Sequence, residues 1–285
     1  MIDLHCHSTY SDGSLTPAEL VARAVEAGLT ALALTDHDGT GGVGPLREAC
    51  AALPPTTPLL AIPGVEISAE VERGAMHLLG YFIDCAHGGL QEALTHIRTG
   101  REERNRLILG RLHELGFAMT WEEVAANAGE DVVGRPHFAQ AMVARGYVNN
   151  KQKAFERFLA RGKAAYVERF RFAPADAIRL ITEAGGVAVL AHPGTLDLST
   201  KRLRQQIGEL KKIGLGGIEV YYSTHAPEQE GLFAAVAREW GLVATGGSDF
   251  HGSGNPGIKL GRGFGSLHVP DEVVEQLRAR AGRGA

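Results

Sequence analysis

The chain has 285 residues, with 29 Lys and Arg against 33 Asp and Glu, a formal net charge of −4 at pH 7. Hydrophobic residues make up 44% and charged residues 22%, which excludes a disordered tail, a collagen-like fibre and a strongly basic nucleic-acid coat. No run of about 18 apolar residues and no signal-peptide pattern occur, so we expect no membrane association. The three cysteines lack paired spacing, which indicates reduced thiols in a cytoplasmic protein.

Seven short runs of strand type recur along the chain, and several are apolar throughout, as in strands buried on both faces. They are Met1–Leu4, Ala31–Thr35, Leu59–Val65, Met76–Ile83, Val187–Ala191, Ile218–Tyr222 and Leu242–Gly246. Helical patterns lie between many of them. The first begins at the capping box Thr16-Pro17-Ala18-Glu19, and others are predicted from Pro174, over Ser199–Ile213 and over Pro227–Trp240. This alternation predicts a parallel α/β barrel or a doubly wound sheet.

The alternation breaks between about Gly100 and Gly162, where the pattern is nearly all helical. The predicted helices there are Gly100–Leu115, Thr120–Asn127, Arg135–Arg145 and Lys151–Ala160. We therefore expect a barrel formed by residues 1–99 and 163–285, with a small helical insert at 100–162. Residues 98–171 carry 14 Lys and Arg against 9 Asp and Glu, whereas the remainder carries 15 against 24. A basic insert in an acidic protein favours an anionic ligand, although a solvated helix surface is the alternative for any single arginine.

Histidines and carboxylates stand where the strand-like runs end. In His5-Cys6-His7 the two imidazoles share one face of a strand, because strand side chains alternate. Similar groups follow four later runs: Thr35-Asp36-His37-Asp38, Gly64-Val65-Glu66, Ala191-His192-Pro193 and Gly247-Ser248-Asp249-Phe250-His251. In parallel α/β folds the carboxyl ends of the strands form the active-site face, so these residues predict a metal site there.

His77 is an exception, since it falls at the start of its run, which is the wrong end in a simple parallel barrel. A turn at Arg73-Gly74 that folds Ile67–Glu72 back on Met76–Ile83 as a hairpin would place His77 near the site.

Together these motifs resemble the PHP (polymerase and histidinol phosphatase) superfamily over residues 1–97 and 165–269. Gly134-Arg135-Pro136-His137, the stretch from Gly162 to Val167 and the helical insert are similar to its branch of nucleoside 3′,5′-bisphosphate phosphatases and 5′→3′ exoribonucleases. The resemblance implies a distorted seven-stranded (β/α)7 barrel, in agreement with the seven runs.

The resemblance also implies three metal ions. His5, His7, Glu66 and Asp249 would hold the first. Glu66 would bridge to the second, held also by His77 and His192, and the third would be held by Asp12, His37 and His251. Such mixed ligands suit Mn²⁺, which the family usually prefers, or Fe²⁺ or Zn²⁺, with Mg²⁺ less suited. Glu66, Asp249 and His251 would be catalytic as ligands that position the attacking hydroxide.

The function that follows is removal of the 3′-phosphate from a nucleoside 3′,5′-bisphosphate by a metal-bridging hydroxide. Trimming of short 5′-phosphorylated RNA from its 5′ end is the alternative and uses the same chemistry. Histidinol-phosphate phosphatase is a third interpretation. The non-enzymatic interpretation is a non-catalytic module attached to a polymerase. No obligate protein partner is evident in the sequence.

Four residues are predicted to contact the substrate. Arg135 and Lys163 would clamp the phosphate that is not cleaved, with help from His137, because arginine forms bidentate contacts with phosphate. His225 follows the sixth run, on the expected catalytic face. A contact with the substrate and a purely structural role are equally weighted interpretations of it. Asp36 and Asp38 flank His37 and are predicted to anchor the imidazoles.

Overall fold

A computed structural model describes residues 1–71, 74–126, 133–168 and 170–282. The chain divides into two compact units, one formed by Met1–Ala93 with Arg171–Ala285 and the other by Leu94–Phe170. We call them the barrel unit and the helical unit. The predicted limits of the insert, 100 and 162, lie inside the helical unit.

The barrel unit is built on seven strands that follow one another in sequence order around a single sheet. They are β1 (Ile2–Cys6), β2 (Ala31–Leu34), β3 (Leu60–Ala69), β4 (Met76–Tyr81), β5 (Val187–Leu190), β6 (Gly217–Tyr222) and β7 (Val243–Gly247). Beyond the end of β7, the N–H of His7 donates to the carbonyl of Phe250 at 2.9 Å and a parallel bridge joins Cys6 to Phe250. The result is a nearly closed seven-stranded barrel, which confirms the predicted fold class.

The fourth strand runs against its neighbours, since β4 is antiparallel to both β3 and β5 while the other pairs are parallel. In this register Ser68 pairs with His77, and the N–H of Ala191 donates to the carbonyl of His77 at 3.0 Å. His77 therefore lies at the carboxyl ends of β3 and β5. This confirms the hairpin; Glu72 and Arg73, part of its predicted turn, lie outside the described residues.

Helices cover the outside of the barrel and close its amino end. Those of the barrel unit are α1 (Pro17–Glu26), α2 (Val43–Ala51), α7 (Pro174–Glu183), α8 (Thr200–Ile213), α9 (Pro227–Glu239) and α10 (Val273–Arg278). The capping box at Thr16 is present at the start of α1. On α10, Val273, Val274 and Leu277 pack against the buried strand residues Ile2 and Val243. Apolar side chains thus fill the interior of the barrel beneath α10.

The helical unit contains most of α3 (Gly88–Glu114), which begins in the barrel unit, followed by α4 (Trp121–Ala125), α5 (Arg135–Ala144) and α6 (Lys151–Ala154). A π-helical turn, Phe155–Leu159, continues α6. The unit has a hydrophobic core of its own, which includes Ile108, Leu112 and Phe138. Asn127, the predicted end of one helix, lies outside the described residues. Among the residues described, no helix combines the length and apolar character that a membrane span requires.

Candidate metal centre

The nine residues predicted as metal ligands lie at the carboxyl end of the barrel, where the strands deliver them. His5 lies on β1, Glu66 on β3 and His77 on β4, and the others follow strand ends: His7, Asp12, His37, His192, Asp249 and His251. Three groups of donor atoms lie within 4.8 Å of one another. They are His7 with Asp12, His37 and His251; His5 with His7 and Glu66; and His37 with Glu66 and His77. The parallel strands and the reversed β4 thus bring the predicted set to one place.

Glu66 is the centre of this cluster and is buried. Its two carboxylate oxygens lie 2.8–3.4 Å from ring nitrogens of five histidines: His5, His7, His37, His77 and His192. Oε2 faces the first three and Oε1 faces the last two. A carboxylate with each oxygen turned to a different set of donors has the geometry of a bridging ligand between two cations.

Two aspartates complete the cluster. Asp249 Oδ1 lies 3.4 Å from His5 Nε2 and 3.3 Å from His7 Nε2. Asp12 Oδ1 lies 3.2 Å from His251 Nε2, and Asp12 Oδ2 lies 3.8 Å from His37 Nε2. The carboxylates are thus spread among the imidazoles rather than grouped together.

Several donor atoms in the cluster are buried without a hydrogen-bond partner among the described residues. They are His7 Nε2, His37 Nδ1 and Asp12 Oδ1. A buried polar atom without a partner is costly, so such atoms in native structures indicate a missing ligand or ion. Imidazole and carboxylate together are the donor set of Mn²⁺, Fe²⁺ and Zn²⁺. The residues present therefore fit divalent metal ions.

The pKa values of the cluster residues also show that its buried carboxylates are stabilised by positive charge. Burial lowers the pKa of His7, but the adjacent carboxylates of Asp249, Glu66 and Asp12 outweigh burial and raise it to about 10. Burial lowers the pKa of His37 to about 4, against the attraction of Glu66 and Asp12. Burial raises the pKa of Glu66, yet the surrounding imidazoles bring it well below its usual range. Without metal, a proton on His7 supplies charge that metal ions would otherwise supply.

Backbone strain is concentrated at the same end of the barrel. His192 and Asp249 have φ values of 24° and 56°, and Asp38 has a φ of 52°. Non-glycine residues adopt this left-handed region at a cost of about 1–3 kcal/mol each, and only where the surrounding structure enforces it. The strain turns the chain at His192 and Asp249 and is typical of functional sites.

Glu219 is a residue of the cluster that was not predicted from the sequence. Its buried carboxylate accepts a hydrogen bond from His5 Nδ1 at 3.0 Å and from the backbone N–H of His192 at 2.7 Å. It thereby fixes the ring of His5 with Nε2 toward Glu66 and holds His192 in place. The signal was present, because Glu219 is the one charged residue in the strand Gly217–Tyr222.

Tyr222 was also missed. Its hydroxyl donates to Asp249 Oδ2 at 2.7 Å, while Oδ1 of the same carboxylate faces His5 and His7. Burial and the charge of Asp249 raise the pKa of Tyr222, so the hydroxyl keeps its proton and remains a donor. Tyr222 therefore determines which oxygen of Asp249 faces the cluster. A tyrosine in an apolar strand gives no sequence signal for such a role.

Asp36 and Asp38, which were predicted to anchor the imidazoles, act on the loops around them. Asp36 accepts from the hydroxyls of Ser8 and Ser11, each at 2.7 Å, and it reaches an imidazole through Ser11, which lies 3.3 Å from His7 Nδ1. Asp38 accepts from the backbone N–H of Ser68 at 2.9 Å and so fixes β3. These two carboxylates order the loops that carry the ligands, whereas Glu219 contacts an imidazole directly.

His225 lies beside the cluster, with its ring packed against Tyr222 and Phe233 at centroid distances of 4.9 and 4.8 Å. Nδ1 donates to the carbonyl of Val220 at 2.8 Å, and Nε2 is buried without a partner among the described residues. Burial lowers the pKa of His225, which favours the neutral ring. These contacts give His225 a packing role, and its predicted substrate contact stays a prediction.

The other predicted substrate residues lie in the helical unit. The Arg135 guanidinium lies over the ring of Tyr166, 5.1 Å from its centroid, and Lys163 is exposed. His137 Nδ1 accepts from the backbone N–H of Gly134 at 2.9 Å and so caps α5. The sequence pattern Gly134-Arg135-Pro136-His137 is thus explained in part by the start of helix α5. The phosphate-binding role of Arg135, Lys163 and His137 stays a prediction.

Comparison with known proteins gives similarity over nearly the whole chain. The sequence model of the PHP domain matches residues 3–160. A 3′,5′-nucleoside bisphosphate phosphatase from Chromobacterium violaceum is 37% identical over 290 residues, covering 100% of this chain and 99% of that protein. The 5′-3′ exoribonuclease Rnm of Salmonella typhimurium is 39% identical over 260 residues, covering 91% and 88%. A solved structure from Bifidobacterium adolescentis, assigned as a metal-dependent phosphoesterase, is 32% identical with a TM-score of 0.83, covering 98% and 96%.

Proposed function

The chain belongs to the PHP domain family, and from this premise we propose that it is a metal-dependent phosphatase that removes the 3′-phosphate of nucleoside 3′,5′-bisphosphates. The observation that carries the proposal is the cluster around Glu66, whose two oxygens face five imidazoles at 2.8–3.4 Å. The similarity to the phosphatase of Chromobacterium violaceum, which extends over the full chain, supports this substrate class.

The proposal includes three Mn²⁺ ions in the cluster. His5, His7, Glu66 and Asp249 would hold the first; Glu66, His77 and His192 the second; and Asp12, His37 and His251 the third. Metal ions held in this way lower the pKa of water and neutralise charge on phosphoryl oxygens. The protein's own contribution is to fix the donors, through Glu219 at His5 and Tyr222 at Asp249.

The proposed reaction consumes one water. Its oxygen forms a bond to the phosphorus of the 3′-phosphate, the bond from phosphorus to the ribose 3′-oxygen breaks, and that oxygen takes a proton. The products are a 5′-nucleotide and inorganic phosphate. In short RNA with a 5′-phosphate, the first 3′-linkage occupies the place of the 3′-phosphate. We therefore propose 5′→3′ trimming of short RNA as a second activity, which the similarity to the exoribonuclease of Salmonella typhimurium supports.

The substrates proposed are small nucleotides and short RNA, in the cytoplasm. All three cysteines, Cys6, Cys50 and Cys85, are free thiols, which supports a reducing compartment.

Product identification tests the proposed function. With adenosine 3′,5′-bisphosphate and Mn²⁺, we expect 5′-AMP and phosphate as products, and a chelator added in excess should stop the reaction. A 5′-phosphorylated trinucleotide should release 5′-nucleotides from its 5′ end. Release of 3′-AMP as the main product would reverse the assignment of the reacting phosphate. Faster turnover of histidinol phosphate than of either nucleotide substrate would contradict the proposal and favour a histidinol-phosphate phosphatase.

Replacement of Arg135 by alanine tests the predicted grip on the second phosphate. We expect KM for adenosine 3′,5′-bisphosphate to rise roughly 10- to 100-fold, since a charge-assisted contact contributes about 1.5–3 kcal/mol. KM for p-nitrophenyl phosphate, which lacks a second phosphate, should change little. Arg106→Ala, at an exposed arginine of the same unit, is the matched control. An equal effect of Arg135→Ala on both substrates would contradict a role at the second phosphate.

A further inference from the structure

Two ligands of the proposed second metal position come from different parts of the chain. His77 lies on the reversed strand β4, and His192 follows β5, directly before the 3₁₀-helical turn Pro193–Leu196. Oε1 of Glu66 lies 2.8 Å from His77 Nδ1 and 3.1 Å from His192 Nε2. A metal ion at this position therefore requires the β3–β4 hairpin and the turn after β5 to keep a fixed distance from each other.

Thr195, a residue that the proposed function does not use, joins these two segments. Its backbone carbonyl accepts from the N–H of Ala75 at 3.0 Å, and its hydroxyl lies 2.9 Å from the carbonyl oxygen of Ala75. Ala75 stands two positions before His77 on the hairpin. Gly74 packs equally closely, since a Cβ at this position would lie 2.3 Å from the carbonyl oxygen of Thr195. The hairpin is thus tied to the turn through Thr195.

The same threonine contacts the imidazole of His192. Its Oγ1 lies 3.1 Å from His192 Nδ1, while His192 Nε2 is turned toward Glu66. A ring nitrogen that binds a metal ion uses its lone pair, so the ring proton lies on Nδ1, and the hydroxyl oxygen of Thr195 accepts it in a hydrogen bond. The proton of this hydroxyl is directed to the carbonyls of Ala75 and His192, at 2.9 and 3.0 Å. One hydroxyl thus orients the His192 ring and connects it to the hairpin that carries His77.

The backbone of His192 is held on both sides. Its φ of 24° lies in the left-handed region, which residues other than glycine adopt only where the surrounding structure enforces it. The N–H of His192 donates to Glu219 at 2.7 Å, and the carbonyl of His192 accepts from the N–H of Thr195 at 3.0 Å. Glu219 also bonds to His5, a ligand of the first proposed position. Among the described residues, Thr195 bonds only to the two segments that carry ligands of the second.

We propose that Thr195 is a positioning residue for the second metal position, where its hydroxyl orients the His192 imidazole and fixes it to the hairpin that carries His77. The proposal rests on the metal centre of the proposed function. Removal of the hydroxyl should weaken the binding of one metal ion, because neither His77 nor His192 belongs to the other two positions. Groups that orient a metal-binding histidine contribute about 10- to 100-fold to metal affinity. We expect the lower part of this range, since Thr195 is exposed and water can replace part of its contacts.

The test is Mn²⁺ binding by the full-length protein in competition with a chelator. Thr195→Val keeps the shape of the side chain without its hydroxyl, so we expect it to release one equivalent of Mn²⁺ at a roughly tenfold lower chelator concentration. The remaining equivalents should be retained as in the unmodified protein. Thr195→Ser keeps the hydroxyl and should retain every equivalent. Thr56→Val, at an exposed threonine, is the matched control and should also retain every equivalent.

Turnover provides a second readout. At saturating Mn²⁺, Thr195→Val should regain the kcat of the unmodified protein with unchanged KM, because every proposed ligand remains. Equal metal retention by Thr195→Val and the unmodified protein, parallel loss of all equivalents, or a loss in Thr195→Ser as large as in Thr195→Val would overturn the role of Thr195 and leave the proposed metal centre intact. An unmodified protein that retains no Mn²⁺ would instead overturn the metal centre, and this proposal with it.

Discussion

Replacement of Glu66 by glutamine should reduce phosphatase activity by roughly 10³-fold, the scale on which loss of electrostatic stabilisation slows a reaction. Each oxygen of Glu66 faces different imidazoles, Oε2 toward His5, His7 and His37 and Oε1 toward His77 and His192. Glutamine has the same shape, but it has no charge and its amide nitrogen is not a metal ligand. One substitution thus removes the negative charge shared by two proposed metal positions.

The measurement is kcat/KM together with metal content after dialysis against Mn²⁺. We expect Glu66→Gln to retain less metal and to stay inactive at saturating Mn²⁺, because the missing ligand cannot be replaced by a higher concentration. Glu70→Gln is the matched control, since Glu70 lies four residues further along the chain and is exposed. Full turnover in Glu66→Gln with unchanged metal content would contradict the bridging role.

The positions of most predicted metal ligands follow from local pattern and from a general property of parallel strands, whereas Asp12 was predicted only from the resemblance to the PHP superfamily. His5, His37 and His192 each stand at or just after an apolar run, and the carboxyl ends of parallel strands meet at one end of a barrel. To place His77 at the site, the sequence analysis required a hairpin with its turn at Arg73-Gly74. The antiparallel pairing of Ser68 with His77 shows why that inference succeeded.

The residues that orient the donors were harder to find, because their partners are far away in the sequence. Glu219 bonds to His5, 214 positions earlier in the chain, and Tyr222 bonds to Asp249. No periodicity within one strand reveals such a contact. A buried charge in an apolar strand does show that a partner exists, but not which one.

Two helices that were not predicted, α2 and α10, have few local sequence features that favour a helix. The N-cap of helix α2 is Gly42, which offers no side-chain cap, in contrast to the capping box at Thr16. The helix α10 has no side-chain cap either and spans only Val273–Arg278. Its stability comes from packing against the strands, a tertiary effect that local propensity does not report.

Replacement of Glu219 by glutamine should weaken Mn²⁺ binding about 10- to 100-fold, the usual effect of removing a group that orients a metal-binding histidine. The Glu219 carboxylate accepts from both His5 Nδ1 and the backbone N–H of His192. Glutamine has one acceptor oxygen, so one of these two donors loses its partner inside the barrel. The loss of negative charge also makes the His5 ring a poorer electron donor.

The two glutamine variants should differ in how they respond to added metal, and this difference separates a ligand from a residue that acts through a ligand. Glu219→Gln should regain most of its kcat at saturating Mn²⁺, because all nine proposed ligands remain, whereas Glu66→Gln should not. Glu228→Gln, at an exposed glutamate of α9, is the matched control. Glu219 bonds to His5 and to the backbone of His192, and both are proposed metal-binding residues. We therefore expect its replacement to lower the affinity for metal, measured by competition with a chelator. Inactivity of Glu219→Gln at full metal occupancy would instead place Glu219 among the groups that contact the reacting atoms.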